Sequence, residues 1–160
     1  MTCNTKQLLG DIMEQSERYN NFIRLTEING IRLTGSEFFK SEDFDDYDFA
    51  ELKKGITYQV ETVETDDEAI YPHICWMLSM KKGNKIVLKI KACYELAYSS
   101  NEYFDNSIVE VFMSNAIKPA TFPYFRQKVN AISNDASLEM PPLPILKLIP
   151  DNSLATEVEE

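Results

Sequence analysis

His73 is the only histidine in the chain, and it stands two residues before Cys75. On a strand that spacing sets both side chains on one face, and an imidazole beside a thiol is the beginning of a zinc site. Two ligands are too few for a tetrahedral centre, and Cys3 and Cys93 are not spaced to complete one, so no metal is expected. The three cysteines, Cys3, Cys75 and Cys93, are most simply reduced thiols. Cys75 and Cys93 fall in apolar, strand-like stretches where free cysteine behaves as a small hydrophobe. A serine–histidine–aspartate triad would have to use His73, next to Pro72 in an apolar run, where a core or interface histidine is expected. With five glycines there is no glycine-rich phosphate loop, and neither a His-Glu-x-x-His helix nor a Gly-x-Ser-x-Gly elbow occurs. The carboxylates are many, but none stands in an apolar context that would tune it for paired acid–base work. The chemistry these residues offer is therefore binding rather than catalysis, with no cofactor.

The formal net charge of −10 would repel phosphates and excludes nucleic acid as a partner. It keeps the protein soluble and attracts basic segments. No apolar run approaches the roughly 18 residues that a membrane span needs, and Met1 to Leu9 lacks a charged region followed by an apolar one, so a cytoplasmic protein without membrane insertion is expected. The 160 residues suit one domain over 1–150, followed by an acidic, disordered tail over 151–160.

The elements that must position any site are legible from periodicity. Leu8, Leu9, Ile12 and Met13 recur at helical spacing and predict a short helix over Thr5 to Tyr19. Ile23, Leu25, Ile31 and Leu33 share one parity, as in a strand, with Asn29-Gly30 marking a bulge. From Glu37 to Glu51 five aromatic residues are threaded through seven carboxylates, which reads as a surface loop with aromatics tucked onto the core, or as a docking surface. Ile56, Tyr58 and Val60 alternate with polar residues, whereas Ile70 to Met80 is apolar on both parities and is expected to be covered on both faces. Lys82-Gly83-Asn84 predicts a hairpin turn. Ile86 to Tyr98 alternates almost without interruption, as a half-exposed antiparallel strand does. Asp105 is a candidate cap for a helix through Ile108, Phe112 and Ile117 that Pro119 and Pro123 either kink or stop and restart, the restart being capped by Thr121. The segment from Met140 to Pro150 holds four prolines and must run extended against an apolar surface. The expected class is α+β: a four-stranded antiparallel sheet with a long kinked helix packed on it and a short helix at the amino end.

Phe122-Pro123-Tyr124-Phe125-Arg126 within the long helix, followed by the apolar crossover Pro141-Pro142-Leu143-Pro144-Ile145-Leu146, resembles the SecB chaperone family. Asn115-Ala116-Ile117 occupies that family's apolar helix approach. Together these match about a quarter of the chain, and the strands match in pattern only. The resemblance implies an ATP-independent holdase that is not an enzyme, works as a homo-oligomer (a dimer of dimers), binds unfolded or preprotein clients, and passes them to a partner such as a SecA-type motor. It implies a client-binding groove of Phe122, Phe125, Leu138, Met140, Leu143, Leu146 and Leu148. Phe122, Pro123, Tyr124, Arg126, Pro142 and Pro144 would be structural members of the family motif, and for Phe122 and Phe125 ordinary helix–sheet or subunit-interface packing is expected ahead of direct client contact. The family usually carries a further amphipathic helix after the crossover and often a glycine after the last strand's tyrosine, where this chain reads Tyr94-Glu95-Leu96-Ala97-Tyr98. A divergent branch is therefore expected, and a dedicated chaperone or adaptor for the antitoxin of a toxin–antitoxin system is the alternative to protein export. A small-ligand or catalytic α+β domain is the third reading.

Overall fold

The structure is a computed structural model that describes residues 16–66, 69–100 and 106–145. Helix α1 occupies residues 16–25. Four strands follow, β1 (Thr26–Lys40), β2 (Lys53–Thr65), β3 (Ala69–Lys82) and β4 (Lys85–Ser100), and then helix α2 (Asn106–Asp135). The strands form one antiparallel sheet in the order β1-β4-β3-β2. The expected α+β architecture is present; the predicted tail over 151–160 and most of the predicted first helix lie outside the described residues.

Alternation dictates the two faces of the sheet. Ile70, Ile74, Trp76, Leu78 and Met80 of β3 stand opposite Tyr98, Tyr94, Ala92, Ile90 and Leu88 of β4, and all ten are buried. They form the face that α2 covers. No residues pair across β3 and β4 between Ile70 and His73, where Pro72 has no N–H to give. Gly83, at φ +59°, makes the tight β3–β4 turn predicted from Lys82-Gly83-Asn84, a conformation in which glycine is free of Cβ strain. The bulge expected at Asn29-Gly30 is a register shift between Ile28 and Gly30, and a second lies between Leu33 and Gly35.

Every fourth residue of α2 from Val109 through Met113, Ile117, Thr121, Phe125, Val129 to Ser133 is buried, a single ridge along the helix that beds into the sheet. Phe112 and Phe122 widen it. Pro119 and Pro123 lie inside one continuous helix, so the helix does not stop and restart, and Thr121 is an interior residue rather than a cap. Its hydroxyl donates to Ile117 O at 2.7 Å and accepts the Trp76 indole N–H at 2.8 Å. Thr121→Val keeps the volume but strands that buried indole donor. It is expected to cost about 1–3 kcal/mol, measured as a lower urea midpoint by far-ultraviolet circular dichroism; a loss of a few tenths would mean that the bond contributes nothing.

The helix ends by a Schellman arrangement. Ser137, at φ 52°, takes the left-handed position; its N–H bonds Asn134 O at 3.1 Å and the Leu138 N–H bonds Ser133 O at 2.8 Å. The chain then turns back, with Leu138 and Leu143 buried in the common core and Met140 packed against it. The segment over 138–145 is neither helix nor strand, as its prolines require.

Three expectations need correction. Ile23 and Leu25, read as strand residues, belong to α1, whose Phe22 packs edge-on against Phe112 with centroids 5.3 Å apart. The segment Glu37–Glu51 is not one loop: β1 continues to Lys40, and two short 3-10 turns, Phe44–Asp46 and Phe49–Glu51, follow. Phe44 is buried, and Asp43, Asp45 and Glu51 pair with Lys85, Lys40 and Lys82. Finally, Cys75 and Cys93, read as separate thiols, face each other across β3 and β4 and are joined as a disulfide. Their pairing is a matter of register, which the spacing of 18 residues does not encode.

Candidate functional site

A helix is roughly 10 Å wide, whereas four strands about 4.8 Å apart span more. α2 rests on the two central strands, β3 and β4, so the helix-side residues of both edge strands are left beside it, half covered. Two apolar troughs result.

The first lies between β2 and α2. Tyr58, Val60 and Val63 pair with Trp76, Ile74 and Pro72 and so share the helix side of the sheet; each keeps between 37% and 40% of its surface exposed. Val109, Met113 and Ile117 form the opposite wall, and Glu110, Ser114 and Lys118 the rim, of a trough of about 340 Å³. Lys118 Nζ sits 5.2 Å from the Tyr58 ring centroid, a cation–π contact that bridges the trough. The second lies along β1. Ile28, Leu33 and Phe38 pair with the helix-facing Tyr98, Tyr94 and Ile90 and are exposed at 42–49%. Tyr124 of α2, also exposed, leans toward Tyr94 with centroids 6.5 Å apart. Apolar side chains thus stay open to solvent on both sides of one helix.

The face turned away from α2 is polar. Arg32 pairs with Glu95 at 2.7 Å, Lys89 with Glu37 at 2.5 Å, and His73 Nδ1 with Glu61 at 2.8 Å. At the sheet's end, hydrogen bonds from Lys85, then Tyr47, hold the Asp43 carboxyl far below the usual carboxylate range, and Asp43 in turn raises the Tyr47 phenol. Burial pushes the phenols of Tyr94 and Tyr98 up to about 12. Because these folded values lie above the ordinary value near 10, the stability tied to the two neutral phenols is complete below about pH 10. It is lost as pH rises from about 10 toward 12. Loss of the circular dichroism signal should therefore track tyrosinate absorbance in that window, and Tyr98→Phe should move the alkaline limit upward; an unmoved limit would remove Tyr98 as its cause.

Of the groove residues expected from the sequence, Phe122, Phe125, Leu138 and Leu143 are buried in the core. Met140 and the motif residue Arg126 are half-buried, Pro142 and Pro144 are exposed, and Leu146 and Leu148 lie outside the described residues. Of the other motif residues, Pro123 and Tyr124 are exposed on α2, and Arg126 Nε is buried with no hydrogen-bond partner among the described residues. Phe122 and Phe125 both pack on Trp76, at 5.1 and 5.9 Å, so they seat the helix. Tyr58, Val60 and Val63 were not singled out from the sequence. The alternation of Tyr58 and Val60 is visible in the sequence, but Val63 reaches their face only through the bulge at Glu61, and nothing in the pattern says that β2 is an edge strand.

No protein-family profile matches the sequence, and no curated protein matches it. Among solved structures, the chain superimposes on the Mycobacterium tuberculosis SecB-like chaperone Rv1957, in complex with a ChAD peptide from the Rv1956 HigA1 antitoxin. The TM-score is 0.68, with 16% identity, over 81% of this chain and 97% of that one. The fold is SecB-like. A Streptococcus agalactiae protein of unknown function aligns over 76% of this chain and 97% of its own at 9% identity and a TM-score of only 0.32, which carries no argument. In this SecB-like fold both edge strands leave apolar side chains open beside α2. No helix among those residues is long and apolar enough to cross a membrane.

Proposed function

We propose that the protein is a chaperone that holds unfolded polypeptide in the troughs flanking α2, without nucleotide and without catalysis. The observation that carries this reading is the β2–α2 trough: Tyr58, Val60 and Val63 stay half exposed against a wall of Val109, Met113 and Ile117, rimmed by Glu110 and Lys118. Apolar walls bind apolar client segments of loosely defined sequence, and the charged rim and the net charge of −10 keep the loaded chaperone in solution and favour basic segments. In this reading Phe122, Phe125, Leu138 and Leu143 support the troughs from beneath, while Met140, Leu146 and Leu148 extend client contact along the crossover. Assembly as a dimer of dimers in the cytoplasm, and delivery to a SecA-type motor, belong to the same proposal.

A second reading, a dedicated chaperone of one antitoxin, is favoured by the antitoxin peptide bound to the Mycobacterium tuberculosis protein. One experiment separates the two. Several unrelated, chemically unfolded proteins are diluted with and without the purified chain, and light scattering is followed. A general holdase suppresses aggregation of most of them at equimolar chain, whereas a dedicated one protects a cognate antitoxin and leaves the rest to aggregate. If neither kind of client is protected, the chaperone reading is wrong.

A further inference from the structure

The open face of the sheet gathers groups that the client-holding reading does not use. Cys75 and Cys93 stand opposite each other on β3 and β4 at 4% and 9% exposure. Glu61 is the residue that bulges out of β2 between Val60 and Thr62, and the bulge brings its carboxylate over the pair: Oε1 lies 3.1 Å from Cys75 Sγ. A disulfide sulfur carries no hydrogen, so that approach is a hydrogen bond only when the cysteines are thiols. The two sulfurs, bonded to each other in this structure, and a Glu61 carboxylate oxygen all lie within 4.8 Å of one another.

His73 completes the arrangement from behind. Its Nδ1 is 2.8 Å from Glu61 Oε2 and its Nε2 is 2.8 Å from Thr34 Oγ1. With the proton on Nδ1, the ring donates to Glu61 and accepts from Thr34, so both nitrogens are committed and the imidazole orients the carboxylate rather than ligating. A β-bulge that aims a carboxylate at two paired cysteine sulfurs, and a histidine that locks the carboxylate, become the parts of a ligand set once the disulfide is opened.

We propose that in the reduced chain Cys75, Cys93 and Glu61 bind one divalent thiophilic cation of the zinc class, with the fourth position open to water on the solvent side of the sheet. Two thiolates and a carboxylate suit such an ion at about 2.3 Å from sulfur and about 2.0–2.2 Å from oxygen. Binding releases the two thiol protons. The ion's two charges and that of Lys91, whose Nζ is 3.9 Å from Glu61 Oε1, then offset three negative ligands. Metal binding and the disulfide exclude each other, because a disulfide has no thiolate to offer. This proposal is independent of the client-binding reading.

Cobalt(II) tests it on the full chain, because thiolate ligation gives a near-ultraviolet charge-transfer band. A phosphine first opens the disulfide: two electrons pass from phosphorus to the sulfurs, and water supplies both protons and the oxygen of the phosphine oxide. The reduced chain should take up one equivalent of cobalt with that band, and zinc should displace it. The oxidised chain should show none, Cys3→Ser should bind as the parent does, and Cys93→Ser should lose the band. Glu61→Gln, at an exposed position, should keep the fold and weaken binding at least tenfold. A reduced chain with all three thiols free by count but no band at one equivalent overturns the site. So does a band that survives Cys93→Ser, or an affinity unchanged by Glu61→Gln.

Discussion

Phe125→Ala is expected to remove about 3–5 kcal/mol of stability, a large share of the roughly 5–15 kcal/mol that holds a domain together. The ring is 0% exposed, lies nearly parallel to the Trp76 indole at 5.9 Å and 18°, and touches Phe122 at 6.3 Å. It is the largest side chain of the every-fourth buried row that seats α2, so the cavity left by alanine cannot close without moving the helix over β3. Urea unfolding followed by far-ultraviolet circular dichroism should show a lower midpoint with an unchanged slope, and Phe125→Leu should recover much of the loss. A cost below about 1 kcal/mol would show that α2 is held by something other than this stack.

The double change Val60→Ser and Val63→Ser should leave the fold in place and weaken client holding on the order of a hundredfold. Each valine buried by a client would contribute about 1.5 kcal/mol, and about 1.4 kcal/mol is a tenfold change in affinity. Both residues are 39–40% exposed on an edge strand, so the folded chain gives up little, less than about 1 kcal/mol at each position. Titration of an unfolded client, read by fluorescence anisotropy, measures the change. Equal affinity in a variant with the parental urea midpoint would take the β2 trough out of the site, leaving the β1 trough of Ile28, Leu33 and Phe38 as the place to look.

Much of the fold was legible because period 2 and period 3.6 are local properties of a sequence. Ile86 to Tyr98 announces a strand exposed on one face, and Phe122 to Arg126 places a helix, whereas the apolar run Ile70 to Met80 suggests cover on both faces and α2 covers only one. The site was less legible, for a physical reason. A trough depends on which strands are edges and on how wide a helix is beside a sheet, and neither quantity is local. The apolar residues that attracted notice, Phe122, Phe125, Leu138 and Leu143, are the ones the core absorbs. The less conspicuous Tyr58, Val60 and Val63 remain half exposed because β2 has no neighbour beyond it among the described residues. Ile23 and Leu25 misled because two residues of equal parity fit the last turn of a helix as readily as the start of a strand. The Cys75–Cys93 pairing and the bulge at Glu61 are likewise facts of register, which only the assembled sheet fixes.

Trp76 is the sole tryptophan of the chain, and its surroundings make it an optical gauge. One face stacks on Phe125 in the interior, while Tyr58, whose ring centroid is 5.1 Å away, rims the β2 trough. The indole N–H is fixed to Thr121, so the ring does not report on its own tumbling. A polypeptide that settles into the trough and displaces Tyr58 or Lys118 alters the polarity and quenching around a single emitter. Occupancy can then be followed in real time from intrinsic fluorescence, with no dye on either molecule.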